Sequence, residues 1–250
     1  MKKLRWFFAE FLVVVTGVLV AFALNSWWGD VKDRKKEEKY LKQIVNDIEA
    51  SLEVVKSSER FSRRTTHAAA RLLAGAYSDS LPDANKLNGY ALMAMSYEPG
   101  SLIQGTLLSL VNSGDLQLIS NDSIRMELIT LEGELQDYES LRKHTSADML
   151  LPAFKEFSAL VPPFEIDLST ISDTVLTLAR ADTLLPVPEE GHFVRPEELD
   201  WRKLYTDDDF LDRLSFLYVA HLNLLRAHSN AVAALEGALG NINSYSKRVE

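Results

Sequence analysis

The segment that most constrains the fold of this chain is the apolar run from Trp6 to Trp28, WFFAEFLVVVTGVLVAFALNSWW. As a helix it spans 22 steps of 1.5 Å, roughly 33 Å, which matches the hydrocarbon core of a bilayer. Trp6, Phe7 and Phe8 at one end and Trp27 and Trp28 at the other sit where an interfacial aromatic belt belongs. Lys2, Lys3 and Arg5 precede the run, and Lys32, Arg34, Lys35 and Lys36 follow it. A buried core helix rarely needs this length or these flanks. A cleaved signal peptide is the competing reading, since the start is basic and Ala21-Phe22-Ala23 has a small-x-small pattern. Against it stand the length of the run, the interruption at Glu10 and the tryptophan pair at the exit. Residues 1–28 are therefore expected to remain as a transmembrane anchor.

Glu10, Gly17, Ala21 and Asn25 are spaced seven, four and four, so they share one helix face. Gly17 and Ala21 form a small-x-x-x-small pair that lets two helix backbones approach closely, and the polar side chains on that face favour a hydrogen-bonding partner. The face is expected to self-associate, giving a homo-oligomer in the bilayer. The plain alternative is that small residues occur by chance in such helices.

Residues 1–42 hold nine Lys/Arg and five Asp/Glu, a charge of +4, so the remaining 208 residues carry −13 of the net −9. An acidic domain of that kind argues against nucleic acid as a partner. The absence of cysteine excludes disulfides and thiolate metal sites. Orientation rests on competing rules. Six Lys/Arg downstream against three upstream would hold the large domain in the cytoplasm, whereas a short basic tail stays inside while long domains translocate regardless of charge. The second rule is preferred here, placing an inner-membrane anchor with a periplasmic domain.

No proline occurs before Pro82, and Leu41, Ile44, Val45, Ile48, Leu52 and Val55 recur at helical spacing. One long helix is expected to leave the bilayer and end near residues 75–80, with the charge run at 30–39 as a solvated face. Shorter helices are expected over 84–97 and 101–112, the latter stopped by Ser113-Gly114. Another is capped by Asn121 or Asp122 and carries Ile124, Leu128, Leu131, Leu135 and Tyr138 as a packing seam. Pro152 bends or restarts it. Residues 161–205, rich in proline, read as an irregular cap with short helices near 170–181 and 196–204. After Thr206-Asp207-Asp208-Asp209 a final helix is expected to bury Leu211, Leu214, Tyr218, His221, Leu225, His228, Val232, Leu235, Leu239 and Ile242. The fold class is all-α: an anchor over 1–28, then an acidic antiparallel helical bundle over 29–250.

Chemistry is sparse. No phosphate-binding glycine loop, dinucleotide fingerprint, nucleophile elbow, zinc-protease or calcium-loop pattern occurs. Ser140-Leu-Arg-Lys143 matches SxxK without the companion motifs of that enzyme class. His221 and His228, seven apart, lie about 10.5 Å apart along a helix, too far to share one ion. They are expected at the seam edge, satisfied by a carboxylate or carbonyl, with a pH-sensing pair as the sharper alternative. No catalytic, cofactor-binding or metal-binding residue is assigned.

AEFLVVVTGVLVAFALNSWWGDVKDRKKEEKYLKQIVNDIEASL, followed some 60 residues later by LLSLVNSGDLQLISNDSIRMELI, resembles an uncharacterised family of bacterial single-pass membrane proteins, a domain of unknown function. The resemblance covers about 130 residues and departs at Leu131-Glu132-Gly133, where relatives often carry a tyrosine pair. It implies a topology and no activity. Three roles stand open: a non-catalytic interaction, scaffold or sensor-like module; an accessory subunit of a transport or envelope complex; or a membrane-bound enzyme built from dispersed carboxylates and histidines.

Overall fold

The computed structural model describes residues 2–98, 100–161 and 199–249, with side chains from Phe11 to Lys247 within those limits. The helix foreseen at 170–181 and most of the 161–205 cap lie outside the described residues. Among the described residues seven α-helices follow in order: α1 (Lys2–Gly75), α2 (Ala84–Ala94), α3 (Gly105–Ser113), α4 (Asp122–His144), α5 (Leu151–Leu160), α6 (Trp201–Leu204) and α7 (Asp208–Val249). A 3-10 turn over Asp115–Leu118 precedes α4, and a π-helical turn over Thr145–Leu150 joins α4 to α5. There is no strand among the described residues. The fold is all-α.

Local signals explain the boundaries. α1 continues for 74 residues because no proline breaks it, and it stops at Gly75. That glycine is buried against Tyr205, whose hydroxyl donates to the Leu72 carbonyl at 2.8 Å, so a side chain there would strike the tyrosine ring. Gly114 closes α3 in the left-handed region at φ 78°. Asn121 accepts from the Ile124 N–H at 3.1 Å and starts α4. Asp207 does the same for α7 through the Asp209 N–H at 2.9 Å. Pro152 lies in the first turn of α5, where its missing N–H costs least, and the chain reaches it through the π turn.

The described chain divides into two compact units, to both of which α1, α4 and α7 contribute. The first comprises residues 1–54, 101–136 and 232–250. Its core is Leu41, Ile44, Ile48 and Leu52 of α1 with Leu107, Leu110, Ile119, Leu128, Leu131 and Leu135. Polar ties fix the short elements to α1. Ser51 Oγ donates to the Ile103 carbonyl at 2.9 Å and accepts its N–H at 2.8 Å. Asp47 accepts the Thr106 N–H at the start of α3, at 3.0 Å. The charge run at 30–39 is not uniformly solvated: Glu37 is buried and accepts the N–H and hydroxyl of Ser120 and the hydroxyl of Tyr245, at 2.9, 3.0 and 3.1 Å. This carboxylate faces inward because three donors satisfy it there.

The second unit comprises residues 55–100 and 137–231. Leu72, Leu87, Leu150, Phe157, Phe210, Leu214 and Leu217 form its apolar end. Phe210 meets Phe157, Trp201 and Tyr205 with ring centroids 5.8, 6.3 and 5.6 Å away. Contacts of Glu59 with Ser229, Thr65 with His221 and Leu72 with Tyr205 run in opposite chain directions, so α1 and α7 are antiparallel here.

The seam of α7 is rotated from the expected one. Leu214, His221, His228, Leu235 and Ile242 are buried as foreseen, but their companion row is Leu217, Leu224, Ala231 and Ala238, while Leu211, Tyr218, Leu225, Val232 and Leu239 are only half-buried. The two rows flank the same central line. Alanines, which signal burial weakly, occupy half of the true row, so size alone pointed to the wrong side.

Candidate functional site

The buried face of α1 repeats at alternating steps of three and four: Leu41, Ile44, Ile48, Ser51, Val55, Ser58, Ser62, Thr65, Ala69 and Leu72 are all buried. In the second unit that row turns polar for two turns, at Ser58, Ser62 and Thr65, with Thr66 beside it. α4 and the π turn add Tyr138, Thr145 and Ser146, and α7 adds His221 and His228. Three helices therefore present hydroxyls and imidazoles where an apolar layer would ordinarily sit.

His221 lies fully buried, with Nε2 2.6 Å from the Ala94 carbonyl and Nδ1 3.1 Å from Thr65 Oγ1. A proton on Nε2 donates to the carbonyl that ends α2, leaving Nδ1 to accept from the threonine hydroxyl. Phe154 covers the ring at 5.9 Å between centroids. His228, also fully buried, has Nδ1 3.0 Å from the Tyr138 hydroxyl and lies 5.7 Å from its ring. Its Nε2 has no partner among the described residues, nor do Ser62 Oγ, Thr66 Oγ1, Thr145 Oγ1, Ser146 Oγ and Arg142 Nε. Buried polar atoms are usually paired, so such a concentration marks a specialised interior.

Burial lowers both imidazoles to pKa values of about 4, the Ala94 carbonyl opposing the shift at His221. The Arg142 charge adds to the lowering at His228, and Glu59 opposes it. Both rings are neutral near pH 7. Glu59 itself is pushed up by burial, but hydrogen bonds from Ser229 and Arg63 outweigh that and lower its pKa overall. Desolvation raises the Tyr138 phenol well above its ordinary range. Gly100, at φ 54°, passes close to Ser58 Oγ and the Tyr138 hydroxyl, a backbone approach that a Cβ would obstruct. Ser58 donates to Glu98 at 3.2 Å.

The histidines are thus central to the seam and not at its edge. A backbone carbonyl does satisfy His221, as expected, but the other partners are hydroxyls. The sequence signal that would have found this core is phase: Ser58, Ser62 and Thr65 continue the period of the apolar stripe that ends at Val55. Ser140 and Lys143 of the SxxK pattern are both exposed and take no part in this core. The anchor face stands apart from it. Gly17, Ala21 and Asn25 are exposed on α1 with nothing within 4 Å of a Cβ built on Gly17, and the Glu10 side chain lies outside the described ones.

Comparison with protein-family models, with curated proteins and with solved structures finds no match for this chain. Fold and site define an all-α helical protein with a polar, histidine-bearing interior. One of its helices, α1, is long and apolar enough to cross a membrane, and all described side chains from Phe11 to Trp28 are exposed.

Proposed function

We propose that this chain is a membrane-anchored, non-catalytic sensor-like or interaction module of a bacterial inner membrane. The observation that carries this reading is the continuity of α1. One uninterrupted helix contains both the apolar segment and the serines and threonines of the polar core. No loop interrupts the helix between the apolar segment and those residues. A partly satisfied polar interior favours more than one packing arrangement, as a switching element requires. Neither imidazole offers an exposed edge to a substrate, which favours binding or sensing over catalysis.

The partners in this reading are the bilayer, a second copy through the Glu10, Gly17, Ala21 and Asn25 face, and an envelope protein. A periplasmic domain belongs to the same reading, since long domains translocate largely regardless of flanking charge. The test is carbonate extraction of native membranes followed by crosslinking and mass spectrometry. Full-length chain should stay in the washed membranes and crosslink to a defined protein or to itself. A mature protein starting at Leu24 in the soluble fraction would overturn the anchored module.

A further inference from the structure

The turns of α1 that place Ser62, Thr65 and Thr66 inside the second unit place cations on its outer side. Residues 56–71 carry five Lys/Arg (Lys56, Arg60, Arg63, Arg64, Arg71) against one carboxylate, Glu59, within a chain of net charge −9. Beside them α1 and α2 border an open groove of about 550 Å³. That volume lies within the range of small-molecule sites. It is lined by Arg63, Arg64, His67 and Lys86 and by Ala68, Gly89, Tyr90 and Met93, of which Gly89 is exposed.

The groove's cations differ in what they already hold. Arg63 is tied to Glu59 at 2.7 Å. Arg64 stacks over the Phe61 ring at 5.5 Å, and among the described residues no carboxylate pairs with it or with Lys86. Gly89 supplies a second, independent observation. It sits inside the eleven-residue α2, where glycine is among the poorest helix formers. Neither backbone nor packing calls for it: its φ is not positive, and a Cβ built there meets nothing within 4 Å. Gly89 is exposed where it lines the groove, so a larger side chain there would stand at the groove's mouth.

We propose that the α1–α2 cleft is a binding site for a small anionic amphiphile, a phosphate or carboxylate head on an apolar body. Arg64 and Lys86 take the head, while Tyr90, Met93 and Ala68 receive the apolar part. Occupancy would draw α2 toward α1, and α2 is joined to the polar core where His221 holds the Ala94 carbonyl. The inference rests on the same core as the sensor reading, yet binding is measurable whether or not the chain signals.

The test is calorimetric titration of octyl phosphate, below its micelle concentration, into the full chain in phosphatidylcholine nanodiscs, with protein-free nanodiscs as the blank. Saturable one-to-one binding is expected. Arg64→Glu and Lys86→Glu should each weaken it tenfold or more, and Lys247→Glu, exposed and outside the cleft, less than threefold. Gly89→Leu should abolish it while melting no lower than wild type, since the new side chain enters open space. Inorganic phosphate alone should bind at least tenfold more weakly. A parallel titration with dihexanoyl phosphatidic acid, monomeric in solution, identifies the source: competition assigns the head to a diacyl lipid, and unchanged affinity assigns it to a single-chain soluble amphiphile. Absence of saturable binding, or equal affinity in Gly89→Leu, overturns the site. Loss of binding with intact crosslinking to a partner would leave the sensor reading standing without this ligand.

Discussion

The Tyr138 hydroxyl lies 3.0 Å from Nδ1 of His228, in a part of the second unit where neither side chain meets solvent. One hydrogen bond joins the phenol to the neutral imidazole, and the other ring nitrogen, Nε2, has no partner among the described residues. Protonating this ring would put a hydrogen on both ring nitrogens, one of them without a partner, and add a buried charge near that of Arg142.

Stability should therefore fall with acidification. Both histidines shift from an ordinary 6.5 to about 4 on folding, so between those values the unfolded chain binds protons that the folded chain does not. The stabilisation is complete above about pH 6.5 and is lost as pH falls toward 4, at up to roughly 1.4 kcal/mol per pH unit for each ring. Urea unfolding of the full chain in neutral detergent at pH 7.5, 6 and 5 should show midpoints dropping. His228→Gln should flatten the trend. A midpoint unchanged from pH 7.5 to 5 would contradict neutral, buried rings.

The two histidines should respond differently to leucine. His221→Leu strands the Ala94 carbonyl, while the Thr65 hydroxyl keeps the Ser62 carbonyl as an acceptor at 3.1 Å, and should cost about 1–3 kcal/mol. His228→Leu strands the Tyr138 hydroxyl but also removes an unsatisfied Nε2, so its cost should be smaller. Paired thermal melts decide the order.

On α7, neighbouring leucines distinguish the observed seam from the one foreseen. Leu224 is 1% exposed, whereas Leu225 is half-buried. Leu224→Ala should cost about 2–5 kcal/mol through lost burial and a residual cavity. Leu225→Ala should cost clearly less, and equal losses in chemical denaturation would reject the rotated seam.

In the first unit, Glu37→Ala removes the acceptor for Ser120 N–H, Ser120 Oγ and Tyr245. Hydrogen bonds to charged groups contribute about 1.5–3 kcal/mol, so the corner before α4 should loosen. Amide exchange is the appropriate readout: the Ser120 N–H should lose protection, while the Leu224 N–H, in the middle of α7, should not. Full protection at Ser120 would show that the carboxylate is incidental.

Whatever depends on local periodicity was legible in the chain itself. The uninterrupted α1 ending at Gly75, the left-handed stop at Gly114, the Asn121 and Asp207 caps and the α4 seam from Ile124 to Tyr138 follow from spacing, missing prolines and side chains that reach their own backbone. These determinants act within one or two helical turns, so no distant partner is needed to read them. Which side of α7 is buried, why Glu37 turns inward and why serines and threonines continue the α1 core were decided by tertiary contact. An alanine, a serine or a glutamate is equally at home on a solvated helix face. It becomes a core residue only when another segment supplies a close-packed backbone or the matching donors, and those come from residues 83 positions away for Glu37 and 156 for Thr65.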